Sequence, residues 1–212
     1  MNQNTQGLSR EVMHIFREVG REIARLQLST GLRCSPGCGL CCESPHVEAT
    51  VLESLPLARE IYRRGEEEAI LNAIEERNHR RDPVCVLYRP DTLIPGQGRC
   101  AYYDFRPMLC RLFGFAARKE KYGNLEFCTC KIIKGKYPEA VSRVEGRLAE
   151  GPEMTGIHEW EPPVYQDISM RMAGIDPGTG FARYPINQAI KQALARAYWE
   201  NSRPSPTLLR GR

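Results

Sequence analysis

The sequence predicts a mostly helical α+β protein, in which a cysteine-rich core of irregular loops and a small β-hairpin is flanked by amphipathic helices. Three observations predict this class. Apolar residues recur at helical spacing near both ends of the chain, nine cysteines lie within 97 residues, and two short β-like segments lie among those cysteines. A chain of 212 residues is long enough to bury one core without cross-links.

An amphipathic helix is predicted over residues 8–28. Leu8, Val12 and Ile15 begin a series of apolar residues at three- and four-residue steps that continues to Leu26. Ser9 is available as the N-cap, and the helix is expected to end at residues 29–31.

An irregular loop is predicted at Cys34-x3-Cys38-x2-Cys41-Cys42. Two glycines and a proline within nine residues allow the backbone to wrap closely around something small. The loop has little apolar content of its own, so we expect a ligand held by its thiolates to order it.

Two helices are predicted next, over residues 55–64 and 66–81. Thr50 and Glu53 have the spacing of a capping box, and Pro56 is compatible with a first helical turn. The second helix is strongly charged and follows Gly65.

A hairpin with a long loop is predicted from residues 84–88 and 100–103, which would place Cys85 and Cys100 on neighbouring strands. Pro107 then indicates a helix start, so Cys110 should lie in the first turn of a short helix. The free N–H groups there, with Arg106 and Arg111, would favour its thiolate form.

Four aromatic residues that could shield a centre from water precede Cys128 and Cys130: Phe113, Phe115, Tyr122 and Phe127.

The residue pattern changes after the last cysteine. Helices are predicted over residues 137–148 and 185–199, a long loop or arm over 151–184, and a frayed tail after 201. We therefore divide the chain into an N-terminal helix plus cysteine-cluster domain, residues 1–131, and a helical and loop-rich extension, residues 132–212, packed on the same core.

The cysteines favour a metal site over the alternatives. Disulfides would leave one cysteine unpaired and would need an oxidising compartment, for which there is no signal. Ordinary buried cysteines would explain Cys128 or Cys130 but not four thiols in nine residues. The triplet Cys34, Cys38 and Cys41 has radical-SAM spacing, although the predicted elements that follow are not those of a repeating β/α barrel.

An ordered series of motifs resembles the YkgJ family of cysteine-cluster proteins. The series comprises Cys34-x3-Cys38-x2-Cys41-Cys42, Cys85-Val-Leu, Gly98-Arg-Cys100-Ala-Tyr102 and Arg106-Pro107-x-x-Cys110-Arg111, within residues 32–131. The resemblance implies zinc or iron chelation by Cys34, Cys38, Cys41, Cys42, Cys85, Cys100, Cys110 and, at a less closely matched position, Cys130 or Cys128. We expect Arg106, Arg111 and Tyr102 to surround the centre rather than to ligate it.

Seven or eight thiolates exceed the four that one tetrahedral zinc accepts. Adjacent cysteines do not easily reach one metal from an extended backbone, so Cys41 and Cys42 are expected to serve different irons or different sites. Aromatic and arginine neighbours suit an anionic, partly buried cluster, so a [4Fe-4S] centre is preferred and zinc is the alternative.

The function expected from these residues is electron transfer or cluster-dependent modification. Methyl transfer to protein lysine is one option, because flagellin lysine methylases resemble the family in their cysteine pattern and depend on an iron–sulfur cluster. The competing hypothesis is a zinc-stabilised, non-catalytic interaction module. We expect a cytoplasmic protein with a protein or redox partner and no membrane span, and a net charge of +4 without a recognition motif does not favour nucleic acid.

Overall fold

The computed structural model describes residues 4–94, 97–150 and 160–201, and it is 61% helical, which confirms the mostly helical α+β class. The helices are α1 Thr5–Thr30, α2 Leu40–Glu43, α3 Val51–Arg64, α4 Glu67–Arg80, α5 Met108–Leu112, α6 Lys131–Lys136, α7 Pro138–Glu150, α8 Tyr165–Ile175, α9 Pro177–Gly180 and α10 Ile186–Asn201. The strands are β1 Glu48–Thr50, β2 Tyr88–Pro90, β3 Gly98–Cys100, β4 Ala116–Lys119, β5 Leu125–Cys128 and β6 Arg183–Pro185. The predicted tail beyond residue 201 lies outside the described residues.

Helix α1 buries the predicted apolar stripe but begins earlier than predicted. Its N-cap is Asn4, whose side-chain oxygen accepts a hydrogen bond from the Gly7 N–H. Ser9 is therefore not the cap: it lies inside the helix, where its hydroxyl is buried without a hydrogen-bond partner. The predicted end is confirmed, because Gly31 adopts a left-handed φ of 78° and its N–H donates to the Gln27 carbonyl in the last turn.

Helix α3 starts with the predicted capping box. Thr50 Oγ1 accepts from the Glu53 N–H at 3.1 Å, and the Glu53 carboxylate accepts from the Thr50 N–H at 3.4 Å. Pro56 is the sixth helical residue, so the prediction of a first-turn proline is wrong. With no N–H to donate, it leaves one position of the helical hydrogen-bond ladder unfilled.

The core is built from helices that are distant in sequence. Helix α10 packs against α3, and α1 packs against both α3 and α8. Completely buried side chains such as Ile61 and Leu194 line this contact, each worth about 1.5–3 kcal/mol of transfer free energy. The C-terminal helix is thus part of the same hydrophobic core as the N-terminal half.

Three two-stranded antiparallel sheets connect these helices: β1 with β6, β2 with β3, and β4 with β5. The β2–β3 hairpin confirms the predicted pairing region, with Tyr88 opposite Cys100. Cys85, however, precedes β2 in a turn whose Tyr88 N–H donates to the Cys85 carbonyl, so its predicted strand position is wrong.

The prediction of a long loop over 151–184 is wrong for residues 165–180, which form α8 and α9; residues 151–159 lie outside the described residues. The helix α8 forms because Ile168, Met172 and Ala173 are buried, while most of the prolines of the region fall at element boundaries. The β4–β5 hairpin and the short pairing of β1 with β6 were not predicted.

Glu53 predicts a specific pH dependence of stability. The residue is 3% exposed, and burial raises the pKa of its carboxyl although Arg183 lies 3.8 Å away. Because folding raises this pKa, its contribution favours folding below the unfolded-state pKa and is lost as the pH rises through the folded-state pKa. The free energy of unfolding of the wild type minus that of Glu53→Gln should therefore fall as the pH rises from about 4, measured by chemical denaturation.

The matched control is Glu68→Gln, at an exposed position of α4. Its difference from the wild type should stay constant over the same range. A difference for Glu53→Gln that is flat, or that rises with pH, would contradict the assignment.

Candidate metal centre

Eight of the nine cysteines line one cavity of about 480 Å³. All nine are free thiols. The lining cysteines come from α2 and the loop before it, the turn before β2, strand β3, helix α5 and the start of α6: Cys34, Cys38, Cys41, Cys42, Cys85, Cys100, Cys110 and Cys130.

Backbone hydrogen bonds fix the first cysteine loop against the β2–β3 hairpin. The Gly98 N–H donates to the Gly37 carbonyl at 2.8 Å, and Cys38 forms an isolated bridge with Gln97. Gly37 adopts a φ of 73°, which suits glycine. The predicted irregular loop ends in the short helix α2, which carries Cys41 and Cys42.

The ring of Tyr88 lies between two glycines. A Cβ added at Gly39 or at Gly98 would lie 2.3 Å from its Cε2 atom, so neither position accommodates a side chain without movement. The Tyr88 hydroxyl donates to the Gln97 carbonyl at 3.1 Å. This contact holds the cysteine loop and the hairpin at a fixed separation.

Cys85 is the most constrained of the cavity cysteines. Its N–H donates to the Cys42 carbonyl at 3.0 Å, which joins the first loop directly to the turn before β2. The buried Asn187 of α10 bonds to the residues on either side: its Oδ1 accepts from the Val86 N–H at 2.8 Å, and its Nδ2 donates to the Val84 carbonyl at 3.0 Å. Sequence reasoning missed Asn187, because its partners lie about a hundred residues away along the chain.

Cys110 and Cys130 reach the cavity from two short helices. Cys110 lies in α5, whose first N–H, that of Met108, donates to the buried Glu53 carboxylate at 2.8 Å. Pro107 is the N-cap of this helix rather than its first residue. Cys130 is the N-cap of α6, and its sulfur accepts from the Ile133 N–H at 3.4 Å.

Cys128 lies elsewhere. It lines two neighbouring cavities together with Thr129 and is partly exposed, so it is not a fully buried cysteine. Only Thr129 separates the two cysteines: Cys128 is the last residue of β5, and Cys130 is the N-cap of α6.

Residues 33–131 match the model of the CxxCxxCC family, described as a "Putative zinc- or iron-chelating domain". We call residues 33–131, which are similar to this family, the CxxCxxCC domain. The match confirms the predicted resemblance to a cysteine-cluster family. No curated protein and no solved structure matches the chain. The matched residues do not include helix α1, nor the chain from α7 onward, which contains Asn187.

The thiols of the CxxCxxCC domain affect one another's protonation. Burial raises the pKa of Cys85 to about 12 and, with the neighbouring Cys38, that of Cys34 to about 11. In the adjacent pair, the hydrogen bond with Cys42 lowers the pKa of Cys41 and raises that of Cys42, so Cys41 loses its proton first.

The expected thiolate character of Cys110 is wrong for this arrangement. Burial raises the pKa of Cys110, the neighbouring thiols Cys85 and Cys41 raise it further, and Arg106 lowers it by less. A five-residue helix has too weak a terminus to reverse the cost of burying a charge.

Arginines supply the positive charge of the cavity. Arg99, Arg106 and Arg111 line it, and no carboxylate, lysine or histidine does so among the described residues. Arg106 stacks 3.4 Å from the Tyr103 ring centroid and donates to the Tyr103 and Cys110 carbonyls. Arg111 donates to the Arg106 and Asp104 carbonyls, and burial, with the charge of Arg106, lowers its pKa to about 10.

The aromatic residues divide between the cavity and other contacts. Phe113 and Phe115 line the cavity, whereas Tyr122 is exposed on the β4–β5 hairpin and Phe127 is buried in the core. Tyr102 does not line the cavity: its hydroxyl donates to the Glu66 carboxylate at 2.6 Å, and its ring lies under Arg64.

The donor set fits a zinc or iron centre, because thiolates are the ligands that structural zinc and iron–sulfur clusters share. As placed, the described residues contain no group of three or more His, Cys, Asp or Glu that could hold a metal ion. Metal binding would therefore require the thiol side chains that line the cavity to rotate towards one another.

Asn187 predicts an effect of the C-terminal helix on the site. Replacing Asn187 by Leu leaves the Val86 N–H and the Val84 carbonyl without partners, which should lower the free energy of unfolding by about 1–3 kcal/mol. It should also free the turn that holds Cys85, so that Cys85 reacts faster with iodoacetamide, measured by peptide mass spectrometry.

Gln188→Leu is the control, since Gln188 is the exposed neighbour on the same helix. Alkylation of Cys128, outside the cavity, should be the same in all three proteins. An unchanged rate at Cys85 in Asn187→Leu would show that Asn187 does not position this cysteine.

Proposed function

We propose that the CxxCxxCC domain holds a cysteine-ligated [4Fe-4S] cluster and that the protein uses it in electron transfer or in cluster-dependent modification of a substrate. The observation that carries this proposal is the lining of one cavity by eight thiols, which is twice the number that one tetrahedral zinc accepts. The family description supports metal chelation by this segment.

The electrostatics of the cavity support an anionic centre. A cluster bound by four thiolates carries net negative charge, and the cavity offers three arginines and no carboxylate among its described lining residues. Arg106 lies close enough to lower the pKa of Cys41, Cys100 and Cys110. When bound, the cluster would supply one-electron redox chemistry, and these guanidiniums would favour its more reduced, more negative state.

The side chains around the cavity also suit a cluster that exchanges electrons with a partner. Among the residues that line the cavity, Phe115 is buried, whereas Leu40 and Phe113 are exposed. Apolar side chains that exclude water while part of the lining stays exposed favour electron transfer through the exposed part. Nine free thiols agree with a reducing compartment, so we place the protein in the cytoplasm. The described residues contain no helix that is both long enough and apolar enough to cross a bilayer.

The competing function is a zinc-stabilised interaction module without catalysis. One observation favours it: the described cavity lining lacks an imidazole or carboxylate that could act as a general base. A metal that only holds the cysteine loop against the hairpin would need no such group. Under this alternative the helices outside the domain would carry the contacts to a partner.

Anaerobic purification followed by metal and sulfide analysis distinguishes the two functions. A [4Fe-4S] protein should be brown and contain iron and acid-labile sulfide in equal amounts. A colourless protein with stoichiometric zinc and no sulfide would exclude the proposed cluster and favour the interaction module. Lysine methyl transfer is tested separately, by adding S-adenosylmethionine to the reduced, cluster-containing protein and a lysine-containing protein.

Cys38→Ser should lose the metal and lower the melting temperature, because metal binding and folding are coupled in cysteine-ligated sites. Cys128→Ser is the matched control, since Cys128 does not line the cavity. It should keep the metal content and the melting temperature of the wild type. If Cys38→Ser keeps both as well, Cys38 is not a ligand.

A further inference from the structure

Exposed apolar side chains are concentrated at the metal cavity. Twelve large apolar side chains are exposed among the described residues, and four of these twelve line the cavity: Leu40, Tyr103, Phe113 and Ile132. Their exposed fractions range from 39% to 59%, so each keeps much of its surface in water. Single apolar side chains scattered over a surface need no explanation, but four at one cavity form an area that a partner would bury. We call these four residues the cavity patch.

The cavity patch is carried by the short elements that also carry cysteines. Leu40 is the first residue of α2, Phe113 directly follows α5, and Ile132 is the second residue of α6. Each of these helices contains a cysteine that lines the cavity or is capped by one. Tyr103 begins the single 3₁₀ turn that precedes α5. A partner that contacts the cavity patch would therefore contact the same elements that position the thiols.

Arginines give the cavity patch a positive charge. Arg99, Arg106 and Arg111 line the cavity with it, and none of the ion pairs between described residues includes any of the three. Arg99 is exposed on β3, whereas Arg111 is largely withdrawn from water. Arg99 is thus available to the carboxylate of a partner.

The charged residues next to the cavity do not cancel these arginines. The exposed charged residues that directly neighbour lining residues in the sequence are the positive Arg21, Arg33, Lys131 and Lys134 and the negative Glu43, Glu48 and Asp104. Positive residues outnumber negative ones in this set as well. A negatively charged partner is therefore favoured over a positively charged one.

The composition of the lining is that of the centre of a protein interface. Such centres are enriched in aromatic side chains and arginine and depleted of lysine and carboxylates. Tyr103 and Phe113 lie with the arginines, and no lysine or carboxylate lines the cavity among the described residues. The Arg106 guanidinium stacks 3.4 Å from the Tyr103 ring centroid and donates to the Tyr103 carbonyl at 2.9 Å. This pair is ordered before a partner binds, which reduces the entropy that binding costs.

An acidic protein fits this surface better than a nucleic acid does. Single-stranded nucleic acids bind by stacking their bases on aromatic rings along a basic groove. Arg106 already covers one face of the Tyr103 ring, and Leu40 and Ile132 are aliphatic, so they offer no ring for stacking. An apolar side chain surrounded by carboxylates would complement both the cavity patch and the arginines.

We infer that the cavity patch, together with Arg99 and Arg106, is the docking surface for an acidic electron-carrier protein. The inference rests on the proposed function only in making the partner an electron carrier. Attraction between the arginines and the carboxylates of the partner would speed the encounter, and burial of the cavity patch would hold the complex. Electron-transfer complexes bury the least area among specific protein complexes, which agrees with a contact built from four apolar side chains.

Isothermal titration calorimetry of the full chain, purified anaerobically with its metal, tests the inference. The probe is a plant-type ferredoxin, a small acidic one-electron carrier. The wild type should bind it, and binding should weaken as the salt concentration rises from about 0.05 to 0.5 M. Two comparison probes, the basic carrier cytochrome c and an oligothymidylate of about 20 nucleotides, should bind more weakly than the ferredoxin.

Two variants test the residues of the surface. Arg99→Glu should weaken ferredoxin binding about tenfold at low salt, because it replaces an attraction by a repulsion. Phe113→Ala should weaken it about fivefold at both salt concentrations, because it removes apolar contact rather than charge. The matched controls are Arg10→Glu, about 15 Å along α1 from the lining residue Gly20, and Tyr122→Ala on the β4–β5 hairpin. Both controls should bind the ferredoxin like the wild type.

Metal content is measured for every variant. If Arg99→Glu loses the metal, Phe113→Ala and Ile132→Ala decide, because neither removes a charge from the cavity. The inference is overturned if the ferredoxin does not bind, if cytochrome c binds equally well, or if the oligonucleotide binds more tightly. It is also overturned if Arg99→Glu and Phe113→Ala both leave ferredoxin binding unchanged.

These outcomes are distinct from those that test the proposed function. A zinc protein without sulfide that binds the ferredoxin through Arg99 and Phe113 would refute the iron–sulfur function and keep the docking surface for an acidic protein. An iron–sulfur protein that does not bind the ferredoxin would do the reverse.

Discussion

Bringing eight thiols to one cavity is the constraint on which the rest of the structure depends. Each thiol that is buried loses the solvation of its ionised form, and each neighbouring thiolate makes a further ionisation harder. The pKa values of Cys34 and Cys85 are raised because ionising these buried thiols costs free energy. The chain meets it with backbone hydrogen bonds that hold the cysteines together before any metal binds. Among these, the bond from the Cys85 N–H to the Cys42 carbonyl joins the first cysteine loop to the turn before β2.

These hydrogen bonds are themselves supported by parts of the chain outside the matched domain. Helix α10 packs along α3 and presents Asn187 to both neighbours of Cys85. Glu53, at the start of α3, accepts the first N–H of the helix that carries Cys110. The helical core therefore positions Cys85 and Cys110, whereas Cys38 lies in a short turn and Cys130 caps α6.

The sequence was informative where the determining interactions are local. The capping box at Thr50 and Glu53 was recognised, although the helix was predicted from residue 55 and α3 begins at Val51. The end of α1 followed from Gly31, because capping bonds connect residues three or four positions apart. Ser9 was a misleading cap, since a helix interior tolerates serine and Asn4 offered an earlier start. Helix α8 was hidden by flanking glycines and prolines, although its buried face follows the helical period.

The site was predictable in its cysteines but not in their supports. Ordered motifs indicated seven of the eight thiols that line the cavity and left the eighth open between Cys130 and Cys128. No local sequence pattern indicates the role of Asn187. A single asparagine on an amphipathic helix is indistinguishable from an ordinary polar residue, and only the fold brings it beside Val84 and Val86. Tyr102 was expected near the centre from its motif, yet its hydroxyl bonds to Glu66 away from the cavity.

The arginines connect metal binding to stability. Arg111 is largely withdrawn from water, and both it and Arg106 bond to backbone carbonyls rather than to carboxylates. Burying a guanidinium costs free energy, which the charge of Asp104 offsets only in part at Arg111. Among the described residues that line the cavity, the groups that can become negative are the eight thiols and the Tyr103 hydroxyl. Thiolates held by a metal would supply that negative charge permanently, whereas protonated thiols do not. The metal-loaded state therefore reduces two free-energy costs together: the repulsion among thiolates and the burial of the arginine charges. For this reason we expect folding and metal content to change in parallel.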